Sequence, residues 1–249
     1  MACSFSPILH LYKTLPSTND TAFSLAREGA PHGTLILADH QTKGRGQRQR
    51  KFVSPKDSGL YMSLVIRRTL PLSQAGFLTC AAAVAVCRGV KEVLGKELSI
   101  KWVNDLFYKG KKCGGILTEC SSVSGKEFPN YLVVGIGLNL LPPKEGWPEE
   151  VEQIAGTILE EGEDPQRNRL ALCIAEKLLE FCEELTASDF MEEYRTKNLA
   201  VGRKLWLLQG EEKILAFGKT VTEEGHLLVA FPDGTERELS CGEVRVVSS

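Results

Sequence analysis

Lys101-Trp-Val-Asn-Asp105, followed seven residues later by Lys112-Cys-Gly-Gly-Ile-Leu-Thr-Glu119, is the stretch on which the reading of this chain turns. Leu98 to Trp102 has the residues of a strand, and Val103-Asn-Asp105 interrupts it. Leu106-Phe-Tyr108 and Cys113 to Cys120 then read as a hairpin closed across Lys109-Gly-Lys-Lys112. Taken alone, Lys112 is an ordinary turn lysine. Its fixed offset from Asn104-Asp105 is what singles it out.

Upstream lies Gln41-Thr-Lys-Gly-Arg-Gly-Gln-Arg-Gln-Arg-Lys-Phe52. Together with the following residues to Lys56 it holds six basic residues and no acidic one. The chain has 30 basic and 32 acidic residues, so outside this segment 24 basic residues face 32 acidic ones. A basic island in an acidic protein marks a local anion site, not a surface that coats nucleic acid. Gly44 and Gly46 are expected to take φ > 0 and bring N–H groups close to a ligand. Arg45, Arg48, Arg50 and Lys51 supply the counter-charge. No Gly-Lys-Ser/Thr ends the loop and no Rossmann spacing is present, so it is neither kind of nucleotide fingerprint. A solvated basic turn is the bland alternative for this stretch read by itself.

At 249 residues and 43% hydrophobic, the chain can bury a substantial core, and one large domain plus a small one is expected. Met1 to Pro7 lacks a charged region followed by an apolar run, so no secretory signal is read there. The longest apolar run, Phe77 to Cys87, falls short of the ~20 residues a bilayer span requires, and no membrane partner is expected. Cys3, Cys80, Cys87, Cys113, Cys120, Cys173, Cys182 and Cys241 form no C-x-x-C pair, which argues against a zinc site. Most sit in apolar surroundings and suit a reducing cytoplasm.

From the N-terminus, Ile8 to Tyr12 reads as a short strand. Leu15-Pro-Ser-Thr-Asn19 is a helix entry with Ser17, Thr18 or Asn19 as cap. Thr34 to Ala38 is a buried strand feeding the basic loop. Gly59 to Arg67 alternates, with Leu60, Met62, Leu64 and Ile66 on one face and Tyr61, Ser63 and Val65 on the other. Ser73 to Leu94 is a helix apolar nearly all round, to be buried against a sheet. Tyr131 to Asn139 is a strand containing Gly135 and Gly137. Asp164-Pro165 opens a helix whose face is Leu170, Ile174, Leu178, Phe181 and Leu185, and Ser188 to Lys197 is another. From Val201 short strands alternate with turns at Gln209-Gly210, Glu224-Gly225, Asp233-Gly234 and Cys241-Gly242. The expected architecture is α+β. Residues 1–200 form a mixed sheet packed with helices, and residues 201–249 a small SH3-like β-barrel.

Several of these features occur together in one family. The chain resembles biotin protein ligases, whose signatures are G-R-G-R-x-G-R-x-W, K-W-P-N-D and a later K-x-x-G-I-L. The resemblance runs from about Ser17 to the C-terminus and includes Ser17-Thr-Asn19, Gln41 and Gly135-x-Gly137-x-Asn139. It implies an enzyme that joins biotin to ATP as biotinyl-5'-adenylate, with Mg2+, and passes the acyl group to a lysine of an apo biotin carboxyl carrier domain. It implies that Ser17, Thr18 and Gln41 hydrogen-bond the ureido head of biotin. Asn19 and Arg45 lie near the carboxylate end, with Gly44, Gly46 and Gln47 in the same loop. Gly114 and Gly115 let a flat ligand press on their strand. Arg48, Arg50, Lys51, Phe52, Trp102, Asn104, Gly135, Gly137 and Asn139 fall to the ATP side. Lys112 corresponds to the catalytic lysine, with Arg45 beside it, and Asp105 is a candidate for placing Mg2+. The basic loop is expected to fold over the adenylate and shield it from water.

The chain also departs from the pattern. Gln47 stands in place of arginine, Gln49 of glycine, Phe52 of tryptophan and Val103 of proline. Gln49 is strained if its position needs φ > 0, and Gln47 removes a guanidinium, so a less tightly held adenylate is expected. Arg245 falls two positions early for reaching ATP. The ligase region begins almost at residue 1, so the monofunctional form, without DNA binding, is expected, and pairing along an exposed sheet edge into a homodimer is open. One rival is a lipoate-protein ligase, or a lipoyl or octanoyl transferase using Cys113 as nucleophile. A more distant one is a non-catalytic nucleic-acid-binding module, against which the overall negative charge and the lack of interleaved aromatics argue.

Overall fold

The computed structural model describes residues 7–68, 75–121, 130–183, 188–209 and 212–247. Seven strands build the main sheet: β1 (Leu9–Tyr12), β2 (Leu35–Ala38), β3 (Gly59–Ile66), β4 (Ser99–Lys101), β5 (Asp105–Tyr108), β6 (Lys111–Cys120) and β7 (Leu132–Asn139). Their order is β1-β2-β3-β7-β6-β5-β4. β1 and β2 run parallel and the other neighbours antiparallel, so the sheet is mixed, as expected. The β5–β6 hairpin closes through Lys109 and Gly110, both at positive φ (47° and 80°), the combination a two-residue primed turn needs.

The helices are α1 (Thr18–Arg27), α2 (Ala75–Leu94), a short α3 (Glu149–Glu152), α4 (Arg167–Glu183) and α5 (Ser188–Lys197). The two faces of the sheet are covered unequally. Leu60, Met62, Leu64 and Ile66 of β3, with Val134, Ile136 and Leu138 of β7, meet α2 and α4 in the large core. Val65 and Val133 point the other way, into a small cluster under α1 with Ala22, Ala26 and Tyr131. The alternation read from β3 therefore holds. Both its faces are buried, but one helix covers the second face only in part.

Two local expectations need correction. Ser17 stands at the cap position of α1 without a side-chain cap bond; the Thr18 N–H goes instead to Gln41 Oε1 at 2.8 Å, a partner brought by tertiary structure. α4 starts at Arg167, not at Asp164-Pro165. Asp164 Oδ1 accepts the Gln166 N–H (3.0 Å) and Gln166 sits at φ 42°, so an Asx turn precedes the helix. The C-terminal strands β8 (Lys204–Gln209), β9 (Glu212–Val221), β10 (Leu227–Ala230), β11 (Glu236–Leu239) and β12 (Glu243–Val246) form a second antiparallel sheet in the order β11-β10-β9-β8-β12, compatible with the expected barrel-like module, though no closed barrel is found among the described residues. Ser73, Leu185 and Gly210, also named from the sequence, lie outside the described residues.

The second sheet shares the core of the first. Leu205, Leu207, Val221, Leu227 and Val244 belong to the same apolar cluster as α2 and β4. Trp102, 3% exposed, donates its indole N–H to Gly225 O at 2.9 Å and so pins the two sheets together.

Candidate active site

The site forms on the α1 side of the main sheet, where side chains shrink to hydrogen along β6 and β7. Gly115 pairs with Gly137, and Leu117 with Gly135. A Cβ on Gly135 would fall 2.2 Å from Asn19 Oδ1, and one on Gly137 would fall 2.5 Å from the Phe52 ring. These glycines thus seat side chains that line the site. Gly115 is open, with nothing closer than 3.8 Å to an added Cβ. A Cβ on Gly114 would fall 2.6 Å from Gly137 O and 2.7 Å from Leu138 Cδ2, so its backbone lines the cavity where no side chain fits.

Over this floor runs a chain of polar side chains. Ser54 Oγ accepts from Gln41 Nε2 (2.9 Å), and Gln41 Oε1 accepts from both the N–H and the hydroxyl of Thr18. Ser63 Oγ lies 2.7 Å from Thr18 Oγ1 and 2.6 Å from Asn19 Oδ1. Asn19 Nδ2 donates to Glu119 Oε2 at 2.7 Å. Thr18, Asn19, Ser54 and Ser63 are all buried, and in that environment their connected hydrogen bonds fix each rotamer. This is a prearranged polar wall at the start of α1.

The basic loop is a hydrogen-bonded hairpin. Arg45 bridges Lys51, Gly46 N–H donates to Arg50 O (2.7 Å) and Phe52 N–H to Gly44 O (2.9 Å). The expectation of positive φ at its glycines fails, because the left-handed residue is Arg48, at φ 55°. The side chain of Gln49, expected to bring strain, lies outside the described residues. Gly44 is required for packing, since a Cβ there would lie 2.4 Å from Phe52 O. Every other residue proposed from the sequence lines one cavity of about 310 Å³, within the range of small-molecule sites, about 300–1,000 Å³.

Arg45 and Lys112 both face that cavity. Lys112 Nζ lies 2.5 Å from Asp105 Oδ1. The Arg45 guanidinium bonds Asp20 (2.8 Å) and Glu119 (3.0 Å), and Arg50 reaches Glu243 of β12 (2.5 Å). The Arg50 hydrogen bond holds the Glu243 carboxyl below its usual range. Each of these three cations already rests on a carboxylate, so an anionic ligand enters by exchange. Lys101 differs. It lines the cavity half-buried, with no carboxylate within ion-pair distance among the described residues, and burial lowers its pKa.

Other expected residues hold the frame. Asn104 Nδ2 donates to Ile116 O (2.8 Å) and fastens the Val103–Asp105 turn to β6. The Lys112 backbone is clasped by Ile154 O and Gly156 N, an added rung beside β6. Asn139 Nδ2 is fixed by Gly156 O (3.1 Å), while its buried Oδ1 has no partner among the described residues and is left to accept from a bound donor. Arg245 is not among the cavity residues, whereas Gly242, Glu243 and Val244 are. The sequence reading missed Ser63, Glu119, Asp20 and Lys101, and the apolar rim of Trp147, Val151 and Ile154. Ser63 was legible as the one small polar residue in a buried strand, but the rim follows no pattern. Cys113 is fully buried and its thiol is pushed up to about 12 by desolvation, which removes it as a nucleophile.

Comparison with known proteins agrees with this geometry. Residues 11–139 match the Biotin/lipoate A/B protein ligase family. The Bifunctional ligase/repressor BirA of Bacillus subtilis (strain 168) is 40% identical over 147 residues, 59% of this chain and 45% of that protein's length. Its namesake in Bacillus spizizenii is 32% identical over 229 residues, 90% of this chain and 69% of that protein. Among solved structures, a biotin protein ligase from Aquifex aeolicus in complex with biotin and ATP superposes with a TM-score of 0.77 at 29% identity, covering 98% of this chain and 100% of that one. The chain belongs to the Biotin/lipoate A/B protein ligase family.

Proposed function

We propose that this chain is an ATP-dependent biotin ligase acting on an apo biotin carboxyl carrier domain. The observation that carries the reading is the convergence of Arg45 and Lys112 on one cavity that Thr18 and Gln41 of the prearranged polar network also line, with Ser63 bracing them. A cation pair and a neutral hydrogen-bonding wall in one pocket suit a ligand with an acid at one end and a polar, uncharged head at the other.

In the first step a carboxylate oxygen of biotin attacks the α-phosphorus of ATP and pyrophosphate leaves. Two anions must approach, and Lys112 and Arg45 relieve their repulsion as each cation exchanges its resident carboxylate for the ligand. The buried network orients the head group so that the acid end arrives in register. In the second step the amine of the acceptor lysine attacks the acyl carbon and AMP leaves. Phe52, lying on Gly137, and the Trp147–Ile154 rim exclude water from the mixed anhydride.

The cavity carboxylates Asp105 and Glu243 are each paired with a cation, and among the described residues no group of three metal-ligating side chains occurs. Asp105 is the residue that would stand nearest a Mg2+ ion brought in with the nucleotide, and the ion would there neutralise charge on the phosphates. No helix among the described residues is long and apolar enough to cross a membrane, and the buried thiols suit a reducing cytoplasm.

The test is incubation with biotin, Mg-ATP and an apo carrier domain, followed by mass spectrometry of the acceptor. One biotinyl addition, with pyrophosphate release that needs biotin and is not supported by lipoate or octanoate, is expected. Release driven equally by lipoate would overturn the assignment.

A further inference from the structure

β8 and β9 each turn one set of residues into the core and the alternate set outward. Leu205, Leu207 and Ala216 are buried, whereas Trp206 is 37% and Phe217 43% exposed. Trp206 stands opposite Leu215, and Phe217 opposite Lys204, so the two aromatics are diagonal neighbours on the outer face of the second sheet. On the other flank Trp206 stands opposite Arg245, and Glu243 lies on the same face two residues along β12. That carboxylate holds Arg50 of the basic hairpin and lines the cavity. The aromatic patch therefore begins about 7 Å from the cavity's edge, the rise of two strand residues.

Lys204, Lys213 and Arg245 surround the aromatics, all exposed and none in an ion pair among the described residues. The nearby carboxylate of Glu243 is already neutralised by Arg50. We propose that this face, with Trp206 and Phe217 at its centre and a cationic rim, is the docking surface for the acceptor protein, which places an apolar spot flanked by carboxylates on it while its lysine enters the cavity. The proposal rests on the ligase reading, which requires a macromolecular amine at the cavity mouth. A lysine reaches only the length of its four-carbon stem, so the body of its domain must sit on the surface adjoining that mouth. Exposed aromatics ringed by polar residues have the make-up of an interface centre.

The test uses the full chain and two variants, Trp206→Ser/Phe217→Ser and Lys204→Glu/Lys213→Glu. Three rates are measured: pyrophosphate release with biotin and Mg-ATP alone, discharge of preformed adenylate to hydroxylamine, and transfer to an apo carrier domain at graded concentrations. Both variants are expected to keep the first two within about twofold. KM for the acceptor is expected to rise ~10-fold or more in the aromatic variant, with kcat nearly unchanged. It should rise less, with a flatter salt dependence, in the charge variant, whose exposed lysines leave the core untouched. Unchanged KM in both variants overturns the proposal. So does a shift in sedimentation from dimer to monomer in either variant, which makes the face a self-contact. Loss of oligo-dT binding with acceptor KM intact overturns it in favour of nucleic acid. Failure of the parent to release pyrophosphate with biotin overturns the ligase reading itself, a result distinguishable from all of these.

Discussion

β6 and β7 present two faces built from alternate residues of the same backbone, and the faces do different work. On one, Ile116, Val134, Ile136 and Leu138 fill the core against α2 and α4. On the other, Gly115, Gly135 and Gly137 withdraw, and their space is taken by Asn19, Phe52 and the cavity. The period of two along a strand thus separates stability from chemistry residue by residue. Damage to one face should unfold the protein, and damage to the other should silence it while it stays folded.

The sharpest form of that contrast is Lys112→Ala. A cation ~4 Å from the α-phosphate contributes ~4 kcal/mol at an effective dielectric of ~20, so single-turnover adenylation should slow on the order of a thousandfold. Thermal stability should hold, because Lys112 is part-exposed and its partner Asp105 is left near solvent. A rate within a few-fold of the parent would remove Lys112 from the chemistry. Next, Gly135→Ala drives a methyl group into Asn19 and breaks the polar wall. We expect kcat/KM for biotin to fall ~100-fold, about 2.7 kcal/mol. Its core-face neighbour Ile136→Ala should do the reverse, costing about 2–5 kcal/mol of unfolding free energy in a denaturant titration while each folded molecule keeps near-parent activity. If both variants lose activity and stability alike, the separation of faces fails.

A smaller effect belongs to the hairpin that closes the site face. Gln47→Arg adds a guanidinium to the cavity wall, and release of labelled biotinyl-adenylate should slow by ~10-fold, one charge-assisted hydrogen bond. Equal off-rates would show that Gln47 does not set retention. Smallest of all is Cys113→Ala. With its thiol buried and pushed up to about 12, the residue is inert. Transfer should stay within ~3-fold, while the lost packing lowers the melting temperature slightly; a large loss of transfer with adenylation intact would revive the covalent route.

Legibility followed the same division. The core face was written in periodic apolar residues, so β3, α2 and α5 were found nearly to their ends. The hairpin was marked by its Lys-Gly turn. Most site residues inside signature stretches were found too, Lys101 and Glu119 excepted, because charge and glycine cluster along the sequence there. What stayed hidden was set by tertiary contact. Gln41 caps a helix 23 residues away, Glu119 braces Asn19 from 100 residues away, and no local pattern announces either. The conformations of Gly44 and Gly46 were misread because glycine serves close packing as readily as positive φ. Only coordinates separate the two uses. The rim at Trp147 was missed because loop residues carry no period.

The clasp on Lys112 by Ile154 and Gly156 has a consequence for the nascent chain. Until residue 156 has left the ribosome, the backbone bearing the key ammonium has its pairing with Phe107 of β5 but not the second rung from Ile154 and Gly156. A stalled chain of 1–150 holds nearly every signature residue but lacks that rung and the Gly242–Val244 lining, so it is expected to fall well short of the full chain in activating biotin. Full competence is expected only with the last third of synthesis, which also brings the sheet that Trp102 secures.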